Sequence, residues 1–165
     1  MKIFPMLLLC LAYMPPWAPL SAAATPPVAS LEAKFTAAKV KLWDERQQVV
    51  STLNQGYQRA MARHAAAVQK EGNLNAYLAT KKEADRFAIN SFVGPNDYSD
   101  DSNVTKMQQS YASQRATLDN SFHLRFASMI TQYESALNNL QTRLTREKKI
   151  DEAIKARDAQ SRLSL

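Results

Sequence analysis

Histidines with acidic neighbours are the first place to look for metal or acid–base chemistry in this sequence. His64 and His123 are the only histidines, and Asp119 lies one helical turn before His123. A zinc site needs three or four ligands, so one Asp–His pair is too few. We predict that Asp119 and His123 form a hydrogen-bonded pair on the surface. His64 falls at an apolar position, and we predict that it packs with its ring hydrogen-bonded.

A cluster of aspartates is the second candidate for metal binding. Asp97, Asp100 and Asp101 lie within residues 96–103, and closely spaced carboxylates suit a hard cation such as calcium. The segment lacks the glycine that a calcium loop has at its sixth position, and Gln108 stands where such a loop has a glutamate. We therefore interpret it as a solvated connector whose negative charges favour the start of the next helix.

Nucleophilic catalysis, phosphate binding and base stacking find little support. The only cysteine, Cys10, lies within residues 1–24, and no serine occupies a glycine-flanked turn. With three glycines in all, the chain has no glycine-rich phosphate loop. Trp43 and several tyrosines could stack on bases, but their helical spacing indicates core packing. We predict no enzyme activity, no catalytic residue, no cofactor, no metal and no nucleic-acid partner. The tyrosines in question are Tyr57, Tyr77, Tyr111 and Tyr133.

Residues 1–24 have the pattern of a secretory signal peptide. Lys2 supplies the positive start, residues 3–12 are mostly apolar, and small residues occupy 21–24. The apolar run is too short to span a bilayer core of about 30 Å. We predict cleavage near Ala24, a secreted or periplasmic location, and no transmembrane anchor after cleavage. Lys2 is the only charged residue removed, so the mature chain keeps all other basic side chains and all 15 acidic ones, without a cysteine.

Apolar periodicity predicts an all-α fold with helices at about 30–71, 75–93, 104–147 and 151–163. Steps of three and four residues draw one apolar stripe along each long helix. Prolines make residues 25–29 an extended tail, and Ser30 and Asn75 are the expected caps of the first two helices. Gly94-Pro95 ends the second helix and opens an acidic connector, residues 94–103.

The helices pair into two unequal antiparallel hairpins, residues 30–93 and 104–165, which repeat with a constant offset in the sequence. Tyr57 corresponds to Tyr133, and Met61 corresponds to Leu137. Two explanations remain open: a true duplication, or the general similarity of any two amphipathic hairpins. At the first turn Gly72 suits a left-handed position, and Leu74 is expected to pack back on the last helical turn.

Both turns resemble the helical-hairpin segments of exported bacterial proteins. In those segments a long helix ends in Gly-x-Leu-Asn/Asp, and a short alanine-rich helix follows. Residues 72–76 (GNLNA) match this pattern, whereas residues 149–153 (KIDEA) lack the glycine. The resemblance implies a spacer or interaction module, and it brings no catalytic residue.

The short return helices leave half of each long helix without a partner. Helix three either returns to the base of helix one or continues past it, and we favour the second arrangement. That arrangement predicts an elongated, coiled-coil-like rod of about 90–100 Å at 1.5 Å per residue. We call the parts of the long helices that no short helix covers, residues 31–53 and 107–129, the surplus stretches, and the expected interaction surface lies on them. Its residues are Leu31, Phe35, Leu42, Val49, Leu53, Met107, Tyr111, Leu118, Phe122 and Met129.

These features predict an exported, non-enzymatic helical interaction or spacer protein. Half-covered stripes favour self-association, so we expect a homo-oligomer or an envelope partner protein. Two alternatives stay open: a basic periplasmic holdase-type chaperone, and a binder of an anionic polymer or cell-surface component. The basic balance favours anionic neighbours, although the mixture of charges in residues 143–152 is typical of a solvated helix face.

Overall fold

The computed structural model describes residues 27–163, which form four helices. These are α1 (Pro27–Lys70), α2 (Leu74–Asn90), α3 (Ser102–Arg146) and α4 (Ile150–Ser161). No strand occurs among residues 27–163, and the predicted all-α fold is confirmed. The predicted signal peptide, residues 1–24, lies outside the described residues.

The first two helices begin at other residues than predicted. Pro27 opens α1, so residues 27–29 are helical where an extended tail was expected, and Ser30 lies inside the helix. Proline suits the first turn, because its missing N–H has no partner there in any case. Asn73 caps α2 in place of Asn75, and its side-chain oxygen accepts a hydrogen bond from the Ala76 N–H at 3.1 Å.

The connector between the hairpins begins earlier than predicted. Ser91 adopts a left-handed conformation (φ 48°) and its N–H donates to the Phe87 carbonyl, so α2 ends before Gly94-Pro95. Asp101 caps α3 by accepting two backbone N–H groups. Leu74, expected to pack on the last turn of α1, is 65% exposed.

The two long helices lie side by side and antiparallel. Phe35 stacks on Tyr133 with ring centroids 4.3 Å apart, and near the other end the Tyr111 hydroxyl donates to the Asn54 side chain at 2.8 Å. Helix α3 therefore continues past the base of the first hairpin, in the arrangement favoured from the sequence. The overlap extends beyond the two surplus stretches, so the rod is about 75–80 Å long at 1.5 Å per residue, shorter than expected.

The two hairpin turns have the same backbone geometry. In the first, the N–H groups of Gly72 and Asn73 bond to carbonyls three and five residues earlier, at 3.1 and 2.9 Å. Lys148 and Lys149 make the same two bonds at the same distances. This pair of bonds is a Schellman cap, whose penultimate residue is left-handed. The left-handed residues are Gly72 (φ 74°) and Lys148 (φ 59°).

Aromatic pairs extend the repeat to the packing of α1 on α3. Tyr57 packs on Tyr111 with centroids 4.8 Å apart, and Phe35 packs on Tyr133. The offset of the repeat relates Tyr57 to Tyr133 and Phe35 to Tyr111. The pair formed by Tyr57 and Tyr111 is therefore equivalent to the pair formed by Tyr133 and Phe35. The hairpins are thus structural repeats about an approximate two-fold axis through the middle of the α1–α3 layer.

Helices α2 and α4 cover opposite ends of the same side of this layer. Glu32, Val50 and Tyr57 lie near one line along α1, because 18 residues make about five turns and seven make about two. Glu32 pairs with Arg162 after α4 at 3.3 Å, whereas Tyr57 packs on Phe87 of α2 with centroids 4.6 Å apart. We call this the covered side and the opposite one the open side.

Helix α4 packs through alanines. Ala153, Ala156 and Ala159 are buried against α3, while the larger Ile154 is 41% exposed. Small side chains let two helices approach closely. Leu163, after the end of α4, packs against the same cluster.

Candidate interaction surface

A groove follows the junction of α1 and α3 on the open side. Its central part has a volume of about 800 Å³ and lies midway along the layer, where neither short helix is present. Smaller depressions continue it in both directions between the same two helices. We call the whole feature the seam groove. The apolar floor of the central part consists of Leu42, Val49, Leu53, Leu118 and Phe122.

The sequence-predicted surface residues largely line this groove. Nine of the ten do so, and Phe35 is the exception, because its ring is stacked on Tyr133. Leu42 and Tyr111 are buried between the helices, so they support the floor, whereas Val49 is 54% exposed. The remaining six, which are half-buried, are Leu31, Leu53, Met107, Leu118, Phe122 and Met129.

The groove is strongly basic. Six Lys or Arg side chains line it and one acidic side chain, Glu45, does. The whole chain has 21 basic and 15 acidic residues, and Lys2 lies outside the described part. Basic and acidic residues are therefore equal in number elsewhere among the described residues, so the net positive charge is concentrated at the groove. The basic residues are Lys34, Lys41, Arg46, Arg59, Arg125 and Arg143.

Ion pairs neutralise the groove centre only partly. Arg125 donates to Glu45 at 2.6 Å, and this hydrogen bond lowers the pKa of the Glu45 carboxyl. Lys34, Lys41 and Arg59 have no ion-pair partner within 4.0 Å among residues 27–163. Their charges remain available to a ligand.

A second ion-pair cluster lies across the helices beside the groove. Asp119 accepts from Arg46 of α1 at 2.6 Å and from Arg115 of α3 at 2.9 Å. Burial raises the pKa of Asp119, but the two guanidinium hydrogen bonds outweigh it and the pKa is lowered. The guanidinium carbon of Arg46 also lies 5.4 Å from the Trp43 ring centroid, within range of a cation–π interaction.

The predicted Asp119–His123 pair is wrong. Both oxygens of Asp119 are bonded to arginines, and His123 is exposed with its ring 5.9 Å from that of Phe122. The spacing of Asp119 and His123 was correct for a shared face. However, Arg46 from the other long helix reaches the carboxylate instead, and local spacing gives no sign of it.

A buried polar site joins α1, α2 and the connector. Glu83 is 3% exposed and accepts from the Tyr57 hydroxyl at 2.6 Å and from Arg86 at 2.7 and 2.9 Å. Burial, followed by the hydrogen bond to Glu83, raises the pKa of Tyr57. This site was not predicted from the sequence. Its only local signal is a glutamate and an arginine three residues apart on a helix that otherwise buries small or apolar side chains.

The connector is tied down rather than simply solvated. Asp97 accepts from Arg86 at 3.0 Å and from the Gly94 N–H at 2.6 Å. Gln108 is fully buried and donates to the Asp97 carbonyl at 2.7 Å, while its oxygen accepts from the Ser99 N–H at 2.8 Å. These bonds fix the point at which the chain leaves α2 and enters α3. Asp97 and Asp101, considered for calcium, therefore have structural partners.

His64 differs from its predicted state. Its Nε2 atom is buried without a hydrogen-bond partner within the described part of the chain, although a satisfied ring was expected. The residue packs as expected, since it is half-buried on α1.

Residues 27–163 contain no group of three or more His, Cys, Asp or Glu side chains arranged to hold a metal ion. None of the described helices combines the length and apolarity required to cross a membrane. Comparisons with protein-family models, curated proteins and solved structures each found no match.

Proposed function

We propose that this chain is an exported, non-enzymatic helical interaction protein that binds another polypeptide in the seam groove. The observation that carries the proposal is the position of the short helices. Both lie on the covered side, so the apolar floor at Leu42, Val49 and Leu118 has no helix over it. Because α2 and α4 cover only one side of the α1–α3 layer, the apolar residues on the other side can bind a partner.

The chemistry of the described residues favours binding over catalysis. The most buried carboxylate, Glu83, is bonded to Tyr57 and Arg86, and Asp119 is bonded to two arginines. These groups link helices and do not open onto the groove as an acid–base pair. Export rests on the signal-peptide pattern of residues 1–24, and a spacer role fits the elongated shape.

Two occupants of the groove follow from the sequence analysis: a second copy of the chain, or an envelope protein. Either partner would contact residues of the groove floor, and it would not contact an exposed residue that lies outside the groove. Val49 and Ile89 provide a matched pair, because Val49 lies in the groove and Ile89 of α2 is 83% exposed outside it.

Photocrosslinking tests the proposal. Val49→Cys and Ile89→Cys proteins, each with Cys10 removed in the signal peptide, are labelled with a benzophenone and irradiated in an extract of the source envelope. We expect a discrete crosslinked polypeptide from position 49 and none from position 89. No product at 49, or the same products from both positions, would contradict a polypeptide-binding groove.

A further inference from the structure

The edge of the seam groove formed by α1 carries three basic side chains without an ion-pair partner within residues 27–163, and Glu45, Gln48 and Thr52 lie between the second and the third. Lys34, Lys41 and Arg59 lie near one line along α1, because steps of seven and eighteen residues are each close to whole helical turns. From Lys34 to Arg59 this row is about 37 Å long at 1.5 Å per residue. None of the three has an ion-pair partner among the described residues.

The edge formed by α3 is different. Ser113, Thr117 and Ser121 line it opposite the apolar floor, and none carries a charge. Short hydroxyl side chains leave room for a helix to approach α3 closely. A ligand in this groove therefore meets apolar groups below and, along α1, cations without an ion-pair partner in the described part of the chain. Along α3 it meets these small polar groups together with Arg125 and Arg143, each of which already has an ion-pair partner.

A second copy of the chain fits this arrangement poorly. Stacking two open sides would bring two net positive surfaces together, with Glu45 as the one lining carboxylate in each groove and that carboxylate already paired with Arg125. Like charges facing one another across an interface oppose association. The charge distribution thus disfavours the self-association expected from the sequence, at least through this surface.

A linear anionic polymer uses only part of the surface. It would meet the cationic row, but it has no apolar face for Leu42, Val49 and Leu118. An amphipathic helix has both, since its apolar stripe can lie on the floor while flanking carboxylates face α1. Charge complementarity and the apolar floor together select this ligand.

We propose that the seam groove binds an acidic amphipathic helix of another protein. This inference rests on the proposed function and adds the chemistry of the partner. The partner helix places apolar side chains every three or four residues against Val49 and Leu118. Its Asp or Glu side chains lie on the flank nearest Lys34, Lys41 and Arg59.

The test uses a designed peptide as the probe. A fluorescein-labelled helical peptide of about 20 residues, long enough at 1.5 Å per residue to cover about 30 Å of groove, carries a Leu/Ala stripe flanked by Glu. A matched peptide has Lys at each Glu position. Fluorescence anisotropy measures the binding of both to the exported protein at low and high salt.

We expect the Glu peptide to bind about tenfold or more tightly than the Lys peptide, with the preference reduced at high salt. The double variant Lys41→Glu/Arg59→Glu should lose that preference. Lys82→Glu, which changes an exposed charge of α2 away from the groove, should keep it. Val49→Asp should weaken the Glu peptide without loss of helical circular dichroism.

Three results would overturn the inference. The first is equal binding of both peptides, or no effect of Lys41→Glu/Arg59→Glu. The second is a dimer in sedimentation that Val49→Asp dissociates, without peptide binding, which makes the occupant a second copy. The third is binding of heparin, unaffected by Val49→Asp, without peptide binding, which makes it a polyanion. If a crosslink forms at position 49 and either of the first two results is obtained, the proposed function stands and only the acidic-helix ligand is excluded. If no crosslink forms at position 49, both the proposed function and the acidic-helix ligand are contradicted.

Discussion

Lys148 adopts a left-handed backbone conformation, which normally favours glycine. The two turns share their hydrogen bonds, but the first has Gly72 at the left-handed position and the second has Lys148 (φ 59°). A left-handed residue with a Cβ is strained by about 1 kcal/mol or more. Replacement by glycine removes this strain, while the greater freedom of glycine in the unfolded chain offsets part of the gain.

We therefore expect Lys148→Gly to raise the free energy of unfolding by about 0.5–1 kcal/mol. Urea denaturation followed by circular dichroism measures the change. Gly72→Ala is the converse control and should lower the stability by about 1 kcal/mol, through conformation alone, since nothing lies within 4 Å of an added Cβ. A destabilised Lys148→Gly protein would show that the Lys148 side chain contributes a contact that outweighs the strain.

Glu83 is the second residue whose loss has a sharp expected effect. Its carboxylate satisfies the Tyr57 hydroxyl and the Arg86 guanidinium, and removing it leaves both without that partner in a largely buried site. We expect Glu83→Ala to lower the free energy of unfolding by about 2–4 kcal/mol. Glu83→Gln, which keeps one acceptor, should cost less.

Asp85 is the matched control for Glu83. It lies two residues away on α2 and pairs with Lys81 at 3.2 Å, with both side chains more than half exposed. An exposed pair of this kind contributes at most about 0.5 kcal/mol. If Asp85→Ala and Glu83→Ala lowered the stability equally in urea denaturation, the site would not have the structural role described here.

At the scale of helices, Asp119 provides the main polar link between the middle of α1 and that of α3. Its pKa is lowered below the ordinary value of 3.8 by hydrogen bonds from Arg46 and Arg115 that outweigh burial. A group whose pKa is lowered on folding stabilises the protein above the unfolded pKa. That contribution is lost as the pH falls through the folded value.

We accordingly expect Asp119→Asn to be less stable than the wild type at neutral pH. The difference should shrink as the pH falls below about 4, because the wild-type carboxyl becomes protonated. The effect is modest, since the Asp119 side chain is 32% exposed and solvent screens it. Thermal unfolding between neutral and acidic pH gives the profile, with Asp44→Asn as an exposed control. A difference that stays constant across this range would mean that the charge of Asp119 has no part in the link.

Helix positions followed from the sequence, whereas several helix ends did not. The absence of proline and the three-and-four spacing in the interiors of α1 and α3 are local properties, and they predicted two long helices correctly. The ends depend on which of several possible capping residues makes the hydrogen bonds to the free backbone groups of the terminal turn. Asn73 and Asn75 are both good caps, and the position of the Schellman turn at Gly72 selects Asn73.

For the whole molecule, the elongated shape has a direct solution test. A rod about 75–80 Å long at 1.5 Å per residue has a radius of gyration of about 22–24 Å. A compact domain with the same number of residues has a radius of gyration of about 14–15 Å. We expect small-angle scattering of the chain without residues 1–24 at low concentration to give the larger value. A radius of gyration in the range of the compact domain would contradict the antiparallel register of α1 and α3.

The residues predicted to form an interaction surface lie together in the structure, but the sequence did not predict a groove or its charge. Nine of the ten expected residues line it, because apolar side chains on a half-covered helix must lie at its junction with a neighbour. Its positive charge could not be read from the sequence. Lys34, Lys41 and Arg59 are interspersed with acidic residues along the chain, and only the direction in which each points separates them.

The sequence by itself determined that residues 27–163 form four helices in two unequal hairpins, because helix formation depends on contacts within a few residues. The tertiary structure decided which sides of the long helices meet, where α2 and α4 lie and hence which side remains open. Those outcomes depend on contacts between distant residues, such as Arg46 with Asp119 and Tyr57 with Glu83. Several partners were sterically possible for each of these side chains, and only the packed register selects one.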